Sequence, residues 1–257
     1  MTRFFRATIE YDGTDFAGFQ WQVGQRTVQG TFEKALKRRI KQDIRITGAG
    51  RTDSGVHALG QVVSFECETA IPIESMALAL NSALPLDLSV RDVQETDDTF
   101  SARYSASSRL YAYFILNRPT PSALFRRYSA FCPSPLDVAA MHAAAQTLLG
   151  ERDFAAFANE LRDDRVTKRE MLGFRVGKFR QFVIVRVEAN AFLRGMVRSL
   201  VGTLIEVGQG KRAADSLEAL IELRDRRQAG FTAPPQGLCL LKARYGVRKI
   251  YGRPREE

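Results

Sequence analysis

Cysteine and histidine are scarce: the 257 residues hold 3 Cys and 2 His. Cys67, Cys132 and Cys239 are far apart and odd in number, so no disulfide framework is expected. A Cys/His metal site is poorly supplied by such numbers. Long uncharged runs are also missing, which excludes a chain threaded through a bilayer as helices. The opening Met1-Thr2-Arg3-Phe4-Phe5-Arg6-Ala7 is interrupted by charge, so it does not read as a signal peptide. A reducing cytoplasm is the expected setting.

What is present is ordinary for a globular protein, with 45% hydrophobic and 26% charged residues. The exception is the balance of charge. Lys and Arg number 38 against 29 Asp and Glu, a formal net charge of +9. That surplus says little about fold and favours polyanionic partners, nucleic acid first.

The chain is organised around Gly48-Ala49-Gly50-Arg51-Thr52-Asp53-Ser54-Gly55-Val56-His57-Ala58. Strand-like runs flank it, Asp43 to Thr47 before and Leu59 to Glu68 after. Arg51 and Asp53 are therefore expected on a tight loop held by scaffold on both sides, where chemistry tends to be placed. A Gly-rich turn with Asp53-Ser54-Gly55 as its tip is the competing reading.

Alternation of Phe5, Ala7, Ile9 and Tyr11 predicts a strand over Arg3 to Tyr11. Val28, Phe32, Leu36 and Ile40 recur at helical spacing behind Thr27, a capping residue. A helix at Ile73 to Leu84 and a strand at Leu88 to Gln94 complete a β-α-β-β-α-β order. The polar stretch Thr96 to Ser108 reads as a hinge, dividing the chain into residues 1–104 and 105–257.

In the second half a strand is expected from Ser107 to Asn117 and a short one near Tyr128 to Phe131. A helix through Val138, Met141, Ala145 and Leu148 should follow. Val166 to Gly177 and Arg180 to Asn190 read as a hairpin turning near Gly177-Lys178. A helix is predicted over Phe192 to Val207, with Arg194 and Arg198 on one side of it. Asp215 to Arg224 reads as a shorter helix and Leu238 to Tyr245 as a last strand. The expected class is α/β (α+β): two related ferredoxin-like halves, their antiparallel sheets joined and flanked by helices, with a basic cleft between them.

Asp53, Ser54 and His57 tempt a hydrolase reading, but no Gly-x-Ser-x-Gly elbow is present. Gly48-x-Gly50 lacks the Lys-Ser/Thr pair of a phosphate-binding P-loop. A better constellation joins Arg51 and Asp53 to Tyr111 on a strand and Arg198 on a helix. A carboxylate, an aromatic ring and two guanidiniums suit an anionic, planar, sugar-bearing ligand.

These residues resemble the tRNA pseudouridine synthase A family. The likeness rests on Tyr11-Asp12-Gly13-Thr14, Gly18-Phe19-Gln20, Thr27-Val28-Gln29, Gly50 through Ala58 and Leu84-Pro85. It continues through Phe100-Ser101-Ala102-Arg103, Arg109 to Tyr113, Phe192 to Arg198 and Thr232-Ala233-Pro234-Pro235. Ser54 stands where the family often has Ala. The resemblance implies Asp53 as catalytic aspartate, Tyr111 as substrate-contacting tyrosine, Arg51 as the arginine of the catalytic loop, and Arg198 as the basic partner of the aspartate. It further implies a homodimer acting on tRNA without a cofactor, at uridines 38, 39 and 40 of the anticodon stem-loop. A non-catalytic RNA-binding protein of the same fold is the alternative.

Overall fold

The computed structural model describes residues 2–160 and 166–246. The described chain divides into two compact units, residues 2–107 with 239–246, and the described residues of 108–238.

In the first unit, β1 (Arg3–Tyr11) lies antiparallel between β3 (His57–Cys67) and β4 (Leu88–Thr96). β10 (Leu238–Tyr245) runs parallel to β3, pairing Cys239 with His57 and Leu240 with Ala58. Helix α1 (Val28–Ile40) starts at Thr27, whose side chain accepts the Gly30 N–H, a cap contributing about 1 kcal/mol. Its apolar stripe buries Val28, Phe32, Ala35 and Leu36, and Lys37, Arg38 and Arg39 complement the dipole in the last turn. The strand expected over Asp43 to Thr47 shrinks to β2 (Thr47–Gly48). The Ile46 N–H is satisfied by the Glu33 carboxylate of α1, so no ladder is needed there. Helix α2 (Ile73–Asn81) stops short of Leu84, and the Asn81 amide bonds both backbone groups of Val90 in β4. The β-α-β-β-α-β order of the first half is thus realised, with its second strand reduced to two residues.

In the second unit, β5 (Ala106–Asn117) pairs antiparallel with β9 (Phe182–Ala189), and β9 with β8 (Lys168–Phe179). β7 (Gly150–Asp153), unforeseen from pattern, extends the sheet beyond β8, and β6 (Ala130–Cys132) runs parallel to the end of β5. The hairpin turns at Arg180-Gln181, three residues beyond Gly177-Lys178, because Phe179 pairs with Phe182 and Arg180 takes a φ of +52°. Helix α3 (Val138–Gln146) is capped by Asp137, whose carboxylate accepts the Ala140 N–H. Helix α4 (Met196–Gly208) is apolar nearly all round and correspondingly buried; α5 (Ser216–Leu223) buries Leu217, Leu220 and Ile221.

The predicted start of α4 at Phe192 is corrected. Gly195, with φ +71°, precedes the first helical residue, so the chain enters the helix through a left-handed bend. Arg194 therefore lies outside the helix, where it pairs with Glu160, and shares no helical side with Arg198.

Candidate active site

The loop between β2 and β3 is held by a second loop, residues 12–19, in the first unit. The Phe19 N–H donates to the Thr52 carbonyl at 3.0 Å, and the Gly55 N–H donates to the Phe16 carbonyl at 3.4 Å. Ser54 Oγ donates to the same Phe16 carbonyl at 3.2 Å. Within the loop the Val56 N–H closes a turn on the Asp53 carbonyl at 3.2 Å. The holding loop is itself fixed: the carbonyls of Gly18 and Phe19 accept the first N–H groups of α1, from Val28 and Gln29. Arg26 forks onto both Asp87 oxygens and lies 4.0 Å over the Phe16 ring.

Gly13 matters by proximity. A Cβ there would stand 2.0 Å from the Val56 carbonyl oxygen, so only glycine lets the two loops approach this closely. On this scaffold Arg51 is exposed and Asp53 half-buried. Among the described residues, Arg51 makes no hydrogen bond or ion pair.

The hydrolase reading dissolves on geometry. His57 Nδ1 accepts the Gly13 N–H at 3.0 Å, with Asp12 Oδ1 3.2 Å away. A nitrogen accepting that N–H has no proton to give Asp12, whose oxygen instead accepts the N–H and hydroxyl of Thr14. His57 thus serves the loop backbone while the Ser54 hydroxyl is turned to Phe16.

In the second unit, Tyr111 stands on β5 opposite Val187 of β9, buried, with its ring 5.2 Å from Phe192 at 88°. Arg198 lies in the first turn of α4. Its Nε donates to the Ala233 carbonyl at 2.8 Å, while the Ala233 N–H returns a bond to the Arg198 carbonyl at 3.0 Å. Tyr113 donates to the next carbonyl, that of Pro234, at 2.7 Å. Burial pushes the Tyr113 phenol well above its ordinary range, and the Arg198 charge pulls weakly the other way. The Thr232–Pro235 segment is thereby tied to both α4 and β5. Arg226 adds bonds to Thr232 Oγ1 at 2.8 Å and the Gly230 carbonyl at 2.9 Å.

The sequence reading missed Phe16, Gly13 and the side chains beneath Thr52 as parts of the loop's support. Their contacts span 38 residues or more, and no local period marks them. Among the described residues no three His, Cys, Asp or Glu side chains gather as a metal site would need. No helix among them is long and apolar enough to cross a membrane.

Known proteins match this arrangement along nearly the whole chain. A family model described as tRNA pseudouridine synthase matches residues 7–105 and 144–246. A Methylococcus capsulatus protein named tRNA pseudouridine synthase A is 45% identical over 232 residues, 90% of this chain and 86% of that protein. Its namesake in Pseudothermotoga lettingae is 44% identical over 237 residues, 92% of this chain and 97% of the relative. Another in Brevibacillus brevis is 44% identical over 242 residues, 93% and 98% respectively. With the glycine-built loop and the α4 arginine inside the residues the family model matches, the chain belongs to the tRNA pseudouridine synthase family and is a tRNA-modifying isomerase.

Proposed function

We propose that the chain isomerises uridine to pseudouridine at positions 38, 39 and 40 of the tRNA anticodon stem-loop, with Asp53 as the catalytic carboxylate. The observation that carries the assignment to Asp53 is its setting. It is a half-buried carboxylate on a loop whose neighbouring residues are bonded to a second loop and, through it, to α1. A carboxylate held so rigidly is suited to charge developing at one fixed point. The choice of positions rests on the resemblance of the motifs.

A stacked uridine must leave the helix to be reached, at a cost of roughly a few kcal/mol. Arg51, exposed and able to fork onto phosphate, offsets part of that cost. Asp53 acts at the ribose as the N1–C1′ bond breaks, its negative charge stabilising the oxocarbenium-like carbon. It does so by bonding C1′, a bond that breaks when C5 later attacks that carbon, or by taking the C2′ proton and returning it to C2′ as C5 bonds C1′. The uracil turns, C5 bonds C1′, the C5 proton leaves and N1 is protonated, so atoms balance without water. The resemblance of the motifs gives Tyr111 the role of contacting the substrate base and Arg198 that of the carboxylate's basic partner. No cofactor enters the scheme. The reading includes a homodimer working in the cytoplasm, two properties supported by the resemblance and testable by light scattering and cell fractionation.

The test is incubation with unmodified tRNA, followed by mapping of pseudouridine nucleotide by nucleotide. Product confined to positions 38 to 40, abolished in Asp53→Asn while tRNA binding persists, is the expected result. Turnover by Asp53→Asn, or product elsewhere, would refute the assignment.

A further inference from the structure

Beneath the candidate loop lies a buried polar cluster of Tyr11, Thr52 and Gln61. The Tyr11 hydroxyl and Thr52 Oγ1 are 2.8 Å apart, with Tyr11 4% and Thr52 7% exposed. Gln61 is wholly buried. Its Nε2 donates to the Gly50 carbonyl at 2.8 Å, and its Oε1 accepts the Val62 N–H at 3.1 Å. The backbone on one side of Arg51 is gripped at Gly50, and on the other at Thr52. Thr52 is held twice, by side chain to Tyr11 and by carbonyl to Phe19.

Two further features suggest a purpose beyond filling space. Apolar side chains of similar shape could occupy this volume without polar partners, whereas a satisfied buried network fixes one arrangement. The register between β1 and β3 also slips just here, from Ile9 opposite Gln61 to Tyr11 opposite Ala58. Such irregularities re-aim side chains beside functional sites. Burial keeps the phenol protonated far above its ordinary range, so the hydrogen bond persists at every physiological pH.

We propose that Tyr11 is a positioning residue for the isomerisation, acting through Thr52 to present the Asp53 carboxylate in one orientation. The inference rests on Asp53 being the catalytic carboxylate.

Its test compares Tyr11→Phe, Thr52→Val, Thr52→Ser and the Tyr11→Phe/Thr52→Val pair by single-turnover rate at saturating tRNA, tRNA affinity and melting temperature. Tyr11→Phe and Thr52→Val are each expected to slow the rate about 10- to 100-fold, the scale of a catalytic group misplaced by an ångström, with affinity unchanged. The double variant should be no slower than the worse single one, because both remove one bond. Thr52→Ser, which keeps a hydroxyl, should recover most of what Thr52→Val loses. Wild-type rates in Tyr11→Phe and Thr52→Val beside an inactive Asp53→Asn overturn this inference alone. A loss appearing only in affinity, or shared equally by Thr52→Ser and Thr52→Val, overturns it too. An active Asp53→Asn overturns the reading underneath.

Discussion

The Phe19 N–H donates to the carbonyl of Thr52 at 3.0 Å, one residue before Asp53. Phe19 in turn accepts from Gln29 in the first turn of α1. The rigidity of the candidate carboxylate therefore derives from a helix 24 residues before it, delivered through backbone hydrogen bonds.

Gly13→Ala tests that delivery. The added methyl would meet the Val56 oxygen at 2.0 Å, so the two loops must part. Overpacking of this kind costs about 1–3 kcal/mol. The expected outcome is a lower urea midpoint together with loss of most turnover; wild-type activity at unchanged stability would show that the loops need not touch.

Tyr113→Phe removes the hydroxyl bonded to the Pro234 carbonyl in the second unit. A partly buried carbonyl that loses its donor can turn in part to water, so the cost is about 1 kcal/mol, the net worth of one hydrogen bond. Chemical denaturation should show a loss of that order. Because the Thr232–Pro235 segment also carries Ala233, the acceptor for Arg198, turnover should fall as well.

Arg51→Gln should weaken tRNA binding at low salt. If its guanidinium contacts a phosphate, the slope of log affinity against log salt becomes shallower by about 1. Titrations at several salt concentrations measure this directly, and an unchanged slope would remove Arg51 from the RNA contacts.

The buried thiols give a pH prediction. Burial pushes Cys67 from 9.0 up to about 11 and Cys239 up to about 12. Unfolded, both would ionise near 9, so between there and about 12 the unfolded chain binds fewer protons than the folded one. Their contribution to stability is complete below pH 9 and is lost as pH rises through that window. Urea midpoints should fall from pH 9 to pH 11, less steeply in a Cys67→Ala/Cys239→Ala variant. In the native protein at pH 8 neither thiol should react with an alkylating reagent within minutes.

Much of the fold was legible along the chain. The alternation of Phe5, Ala7, Ile9 and Tyr11 gave β1 its bounds, and Thr27 with Val28, Phe32 and Leu36 gave α1 its start and its buried stripe. Leu238 to Tyr245 emerged as a strand over those same residues. The candidate loop, with Arg51 and Asp53, stood out because glycines and charge cluster there. Boundaries failed where a distant group replaced the local one. Glu33 takes the Ile46 N–H that a longer β2 would have used, and Asn81 turns from α2 to bond Val90.

By itself the sequence determined most of the stretches that would be strands and helices, β7 excepted, because apolar spacing and caps act over two to four neighbours. It also determined the surplus of positive charge that suits a polyanionic substrate. Only the tertiary structure decided that β10 would run parallel to β3, with Cys239 beside His57, since any free sheet edge offers the same backbone groups to an arriving strand. It alone decided that Tyr11 would grip Thr52 from 41 residues away, because a hydrogen bond between buried side chains depends on where two strands bring them and leaves no period in the chain.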